Sequence, residues 1–228
     1  MKKFAAIAAT AALISVGVAT PAHAYDRELY AYAAGHMIGV KDVPAPLKVR
    51  KEAFFNASSG SSSNYLCGDQ EKQVSYPGGQ YQFGLSYNGR GDVGGVSVNV
   101  VKYASAQRAI RAFNQLKKGL QECAGPASGQ ETYDDGSTDT WSRLSTTGNV
   151  PLVTIAGVQS VFLNENYEDV TTGEFADRYT SDNYNVYTLV NDVIINTSHY
   201  TGSELNMSTQ ERRAVNRVAF NAVTRWVS

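Results

Sequence analysis

The chain has 228 residues and a net charge of −1, from 20 Lys and Arg against 21 Asp and Glu. No Lys/Arg cluster interrupts that balance, which argues against nucleic acid as a partner. A hydrophobic content of 43% and an aromatic content of 11% exclude a disordered chain. Sparse charge and frequent Tyr suit an extracellular, β-rich protein with a Ser, Thr and Asn surface.

The amino terminus reads as a secretory signal. Lys2 and Lys3 supply positive charge, Phe4 to Val18 is an almost unbroken apolar run, and Ala22 and Ala24 stand in the spacing that signal peptidase reads. Cleavage is expected after Ala24, leaving residues 25–228 as one secreted domain of net charge −3, since only Lys2 and Lys3 leave with the signal. The alternative is an uncleaved anchor, but a bilayer of roughly 30 Å asks for about 20 apolar residues. No Cys follows the run and no later segment is apolar enough to cross a membrane, so a free chain without stable membrane insertion is expected.

A short helix is predicted over 26–39, with Asp26 as its cap and Leu29, Ala33, His36 and Met37 on one face. Pro44 and Pro46 end it. Residues 56–64 read as a loop by their Ser, Asn and Gly content. Cys67 follows, and its partner in an even cysteine count is Cys123. In an exported chain the pair reads as a disulfide. Closing 56 residues removes roughly 4 kcal/mol of denatured-state entropy. Metal ligation or a reactive thiol is the rival reading, but two isolated cysteines do not make a zinc spacing.

Tyr81, Phe83, Leu85 and Tyr87 alternate with polar or small residues, as do Val96, Val98 and Val100, and the Gly-rich stretch between them makes the pair a hairpin. Helix is clearest over 106–122, where Ser105 caps a face of Ala109, Ile110, Phe113, Leu116 and Leu120. Strands are predicted at 130–134, 139–146, 151–155, 158–165, 184–190 and 193–200, with Asn191-Asp192 as a tight turn. Residues 165–183 are acidic and without period, which predicts an irregular loop or a short helix. A last helix starts at the capping box Ser208 to Glu211 and presents Val215, Val218, Ala222, Val223 and Trp226 on one face. The order of elements predicts an α+β domain, an antiparallel β-sheet flanked by helices.

Catalytic motifs are missing. His36 and His199 have no local nucleophile or orienting carboxylate, and neither a Gly-x-Ser-x-Gly elbow nor a His-Glu-x-x-His occurs. Residues 133–139 resemble a calcium loop, but counting from Asp134 the glycine falls third and Ser145 twelfth, so a hairpin turn accounts for them better. Glu165, Glu168, Asp169, Glu174 and Asp177 would suit a glycosidase pair only if two of them faced one cleft. Tyr81, Tyr87, Tyr184, Tyr187 and Tyr200 are candidates to line a ligand groove, and fit ordinary sheet packing equally well. Arg90-Gly91-Asp92 spells an adhesion tripeptide in a turn-forming stretch.

The stretch Val96-Ser-Val-Asn-Val-Val-Lys-Tyr103, the small-residue start Ala104-Ser-Ala-Gln-Arg-Ala109 and the helix closing on Cys123-Ala-Gly125 resemble the PknH-like extracellular sensor domain family of actinobacteria. The resemblance implies an antiparallel sheet flanked by helices, with a cleft for an unidentified ligand and no catalytic activity of its own. Members of that family commonly carry four cysteines, so one of two bridges would be missing here.

The reading that follows is a secreted, non-catalytic ligand-binding or sensor-like domain, not an enzyme, with no cofactor and no metal. Its partner would be a small molecule, an envelope component or a protein. A secreted hydrolase using the acidic residues of 165–177 with His199 is the second reading, and a structural or adhesive surface protein the third.

Overall fold

The computed structural model describes residues 27–60, 63–68, 73–89, 94–150, 158–173, 176–201 and 206–227. Along the chain run α1 (Arg27–His36), β1 (Val49–Ser59), β2 (Ser63–Gly68), β3 (Gln73–Pro77), β4 (Tyr81–Gly89), β5 (Val96–Lys102) and α2 (Ala106–Cys123). After them come β6 (Gly125–Thr132), β7 (Thr138–Asn149), β8 (Gln159–Thr172), β9 (Asp177–Val190), β10 (Val193–Tyr200) and α3 (Thr209–Val227). Eight strands form one sheet in the order β1-β4-β5-β10-β9-β8-β7-β6, every pairing antiparallel, and β2 and β3 form a separate hairpin. This is the expected α+β architecture.

Strand alternation sends successive side chains to opposite faces, and both faces are covered. On one, Val215, Val218, Ala222, Val223 and Trp226 of α3, with Ala33 of α1, pack against Phe83, Leu85, Val98, Val186 and Ile195. On the other, Phe113, Leu116 and Leu120 of α2 pack against Val101, Leu163, Leu189 and Ile194. The β2–β3 hairpin presses on α2 so closely that a Cβ at Gly119 would come within 2.7 Å of Leu66. The Cys67–Cys123 disulfide, with Cα atoms 6.0 Å apart, locks that hairpin to the helix end.

Local signals account for the ends of these elements. Ser105 Oγ accepts the Arg108 amide at 3.3 Å. At the start of α3 the capping box closes in both directions: Ser208 N donates to Glu211 Oε2 at 2.7 Å and Glu211 N to Ser208 Oγ at 3.2 Å. Asn191 takes φ of 50° in the β9–β10 turn, a left-handed conformation that Asn tolerates. The chain at 133–137 is a hairpin turn, with Gly136 at φ 81° and Ser137 N donating to Asp135 Oδ1 at 2.8 Å.

Three expectations are corrected. Of residues 56–64, read as loop, 56–59 are the end of edge strand β1 and 63–64 the start of β2, where pairing with 81–84 of β4 and with Tyr76 and Pro77 of β3 overrides their turn-forming composition. The strand expected at 130–134 begins at Gly125, directly after α2, and ends at Thr132. Residues 165–183 are not irregular: 165–172 and 177–183 lie in β8 and β9, paired residue for residue from Glu165↔Asn183 to Thr171↔Asp177. Those strands, with β6 and β7, project past the helices as a wing whose two faces are both wet, so no apolar period marks them. The strand expected at 151–155, the signal at 1–24 and the cap Asp26 lie outside the described residues.

Candidate functional site

On the α3 side of the wing, the strands floor a groove of about 740 Å³. Two cross-strand rows form its floor. Pro126, Leu144, Asn166 and Asp182 make the inner row, and Ser128, Ser142, Glu168 and Thr180 the outer one. Asn206, just before α3, supplies part of the wall. Leu144 is 50% exposed there, an apolar patch within a polar lining.

Asp182 organises the inner end. Its carboxylate is buried, yet it accepts Asn166 Nδ2 on Oδ1 and the Met207 amide on Oδ2 at 2.7 Å, with Arg212 Nη2 3.5 Å away. Its backbone exchanges hydrogen bonds with Thr201, from Asp182 N to Thr201 Oγ1 and from Thr201 N to Asp182 O, both at 2.8 Å. Asn166 in turn accepts Asn164 Nδ2 at 3.2 Å. A buried charge is tolerated only with such partners. The network ties β8, β9, the end of β10 and the entry to α3 into one rigid groove wall. At the outer lip Glu168 pairs with Arg178 at 2.6 Å, but both are too exposed for the pair to hold much.

The residues singled out from sequence do not converge on this groove. His199 is wholly buried beneath α3, its Nδ1 3.0 Å from Gly95 O. Burial pulls its pKa below the ordinary 6.5 and outweighs the upward pull of the Gly95 carbonyl and Glu211, so the ring is neutral and Nδ1–H is the donor. A ring closed to solvent meets no substrate. Strand alternation also splits the carboxylates: Glu165, Asp169 and Asp177 face the α2 side, whereas Glu168 faces the groove. Glu165 pairs with Arg143 at 3.8 Å, and burial lifts its pKa above the ordinary carboxyl value despite that cation. Glu174 and Arg90-Gly91-Asp92 lie outside the described residues.

No protein-family model matches the chain, and no curated protein does. Its fold is similar to that of the extracellular domain of PknH from Mycobacterium tuberculosis. The two are 14% identical, with 85% of this chain and 94% of that chain covered, at a TM-score of 0.45. The likeness is distant, and no function is carried over from it.

The five tyrosines serve different ends. Tyr87 donates to Ile38 O at 3.2 Å and Tyr184 to Asn216 Oδ1 at 3.1 Å, both buried on the α3 side. Tyr81 stands beside Phe83 on that same side. Tyr187 is buried on the opposite face against Tyr76, and Tyr200 is 53% exposed. The sheet separates Tyr187 from Tyr81, Tyr87 and Tyr184, so the five do not share one groove. His36 stacks on Tyr32 with ring centroids 3.8 Å apart. Among the described residues no group of three or more His, Cys, Asp or Glu is placed to hold a metal ion, and no helix is long and apolar enough to cross a membrane. Asp182, Asn166 and Arg212 were invisible in the sequence reading. The missed signal was that the alternation of Tyr184 and Val186, in the strand predicted at 184–190, reaches back to Asp182 in the stretch read as irregular.

Proposed function

We propose that the protein is an exported, non-catalytic binding domain, and that its ligand, a small molecule, envelope component or protein segment, seats in the wing groove. The observation that carries this reading is the groove itself: an open cleft beside an exposed apolar patch, its inner wall held by the Asn164–Asn166–Asp182–Arg212 network around the buried Asp182 carboxylate. Such pre-organised hydrogen-bonding groups beside an apolar surface are what a ligand site requires. The amino-terminal signal and the Cys67–Cys123 bridge support action in an oxidising compartment outside the cytoplasm. His199, the one candidate base of the hydrolase reading in the mature strands, is sealed from the groove, which favours binding over turnover.

The test is a thermal-shift and NMR screen of residues 25–228 against cell-wall fragments. Ligand-induced shifts are expected at Leu144, Asn166, Thr180 and Asn206, and Leu144→Arg is expected to abolish them while leaving the melting temperature near that of the parent. Shifts mapping to β1, β4 and β5 would overturn the groove as the site. Sustained turnover of any fragment would overturn the non-catalytic reading.

A further inference from the structure

The chemistry of the groove narrows what it can hold. Each charged residue of its lining already has an opposite charge beside it: Glu168 has Arg178 at 2.6 Å, Asp182 has Arg212 at 3.5 Å and Arg143 has Glu165 at 3.8 Å. A charged guest would give up hydration on entering and meet no unmatched counter-charge in return. The Asp182 carboxylate is occupied on both oxygens, by Asn166 on one and by the Met207 amide and Arg212 on the other. It shapes the wall and offers nothing to a ligand.

What remains for a guest is hydroxyl, amide and apolar surface. In the outer row Glu168 stands between Ser142 and Thr180, with Ser128 beyond. The hydroxyls of Ser128, Ser142 and Thr180 bond no other described group, and each can both donate and accept. The exposed Asn206 amide adds a donor and an acceptor at the wall. In the inner row Pro126 and Leu144 lie side by side as an apolar strip. Four strands at a spacing of about 4.8 Å make each row about 14 Å long, more than one hexose ring. Strands β7, β8 and β9 each pair on both sides, so their backbone groups are taken and a ligand on this floor meets side chains. An extended peptide, which draws its affinity from a free sheet edge, finds none along the floor.

We infer that the groove, on the reading that it is the ligand site, takes a short uncharged oligosaccharide laid across the strands. A sugar ring joins an apolar C–H face to a rim of hydroxyls, and the two rows present the matching surfaces. The C–H face packs on Pro126 and Leu144. The hydroxyl rim exchanges hydrogen bonds with Ser128, Ser142, Glu168 and Thr180, which would otherwise have only water.

The probes are the uncharged trisaccharides maltotriose and tri-N-acetylchitotriose, the anionic trigalacturonate and the peptide trialanine. Each is titrated into residues 25–228 and followed at the amide signals of Ser142, Leu144, Asn166 and Thr180. An uncharged trisaccharide is expected to shift those signals, and the anion and the peptide to leave them. Its affinity is expected to hold between about 0.05 and 0.5 M NaCl, since no ion pair forms for salt to screen. Ser142→Ala with Thr180→Ala is expected to weaken binding about tenfold, the loss of two hydrogen bonds. Ser142 is exposed and Thr180 half-buried, so the double variant is expected to melt near the parent temperature. If the peptide or the anion shifts the groove signals and neither trisaccharide does, the saccharide is overturned and the groove stands as the site. Trisaccharide shifts confined to β1, β4 and β5 would overturn both. Silence toward both trisaccharides, unchanged affinity in the double variant or a steep loss of affinity with salt would each overturn the inference.

Discussion

One sheet carries two regions built on different terms. Where α2 and α3 cover it, nearly every inward position is apolar and sealed: Val96, Val98 and Val100 under α3, Val101, Leu163 and Ile194 under α2. In the wing the same antiparallel ladder continues without that cover. From Asn166↔Asp182 to Thr171↔Asp177 the β8–β9 pairing keeps register while the side chains on both faces are mostly polar or aromatic. Backbone hydrogen bonds and cross-strand pairs are enough to extend strands that a core has already aligned. Freed from the core, the wing exposes both faces to solvent, and one of them carries the groove.

The comparison breaks first at the core. Phe113→Ala, at a side chain with 0% exposure, is expected to cost about 3–5 kcal/mol in chemical denaturation. An effect near that of a surface change would mean that α2 is not the cover described here. Removing the bridge with Cys67→Ala and Cys123→Ala together is expected to cost about 2–4 kcal/mol, read as a lower denaturation midpoint than the oxidised parent. The hairpin, more than the wing, should lose amide protection.

Acid and base should act on the two regions with opposite sign. Burial holds the His199 pKa below 6.5, so its neutral form favours the folded state. Stability from this group is complete above pH 6.5 and declines as the pH falls below it, because the unfolded chain then binds the extra proton. His199→Gln is expected to flatten that decline in melts taken across the same range. Burial raises the Glu165 pKa above 4.5, so its contribution is fullest below pH 4.5 and is lost as the pH rises through the raised value. Glu165→Gln removes that slope and leaves the His199 slope in place. At the smaller end, Ser208→Ala is expected to cost about 1 kcal/mol by undoing the α3 cap. Leu144→Ala, in the wing, should change stability by no more than about 0.5 kcal/mol. A larger loss there would show that the wing shares the core's cooperativity.

Much of the fold was legible because it is written in short-range patterns. The period of α2, the alternation of β4 and β5, the capping box of α3 and the Asn191-Asp192 turn each depend on residues a few positions apart, and all four stand in the structure. The cysteine count pointed to the Cys67–Cys123 bridge for a similar reason, since two thiols allow one pairing. Strand β1 and the outer halves of β8 and β9 were not legible. Their polar side chains carry no period, and what makes them strands is a partner strand that local sequence does not name.

Most of the candidate site belongs to that second kind; only its β7 residues, Ser142 and Leu144, lie in a strand that the sequence predicted. Sequence alone determined an α+β chain with capped helices and a single disulfide, because propensity, periodicity and pairing arithmetic are properties of neighbouring residues. Only the tertiary structure decided that Glu168 and Asp169 look out from opposite faces, and that His199 is sealed under α3. It also decided that Asp182 gathers Asn166 from β8 and Met207 and Arg212 from the start of α3. Strand register and helix cover assign each side chain to a face, and they arise only when distant segments pack.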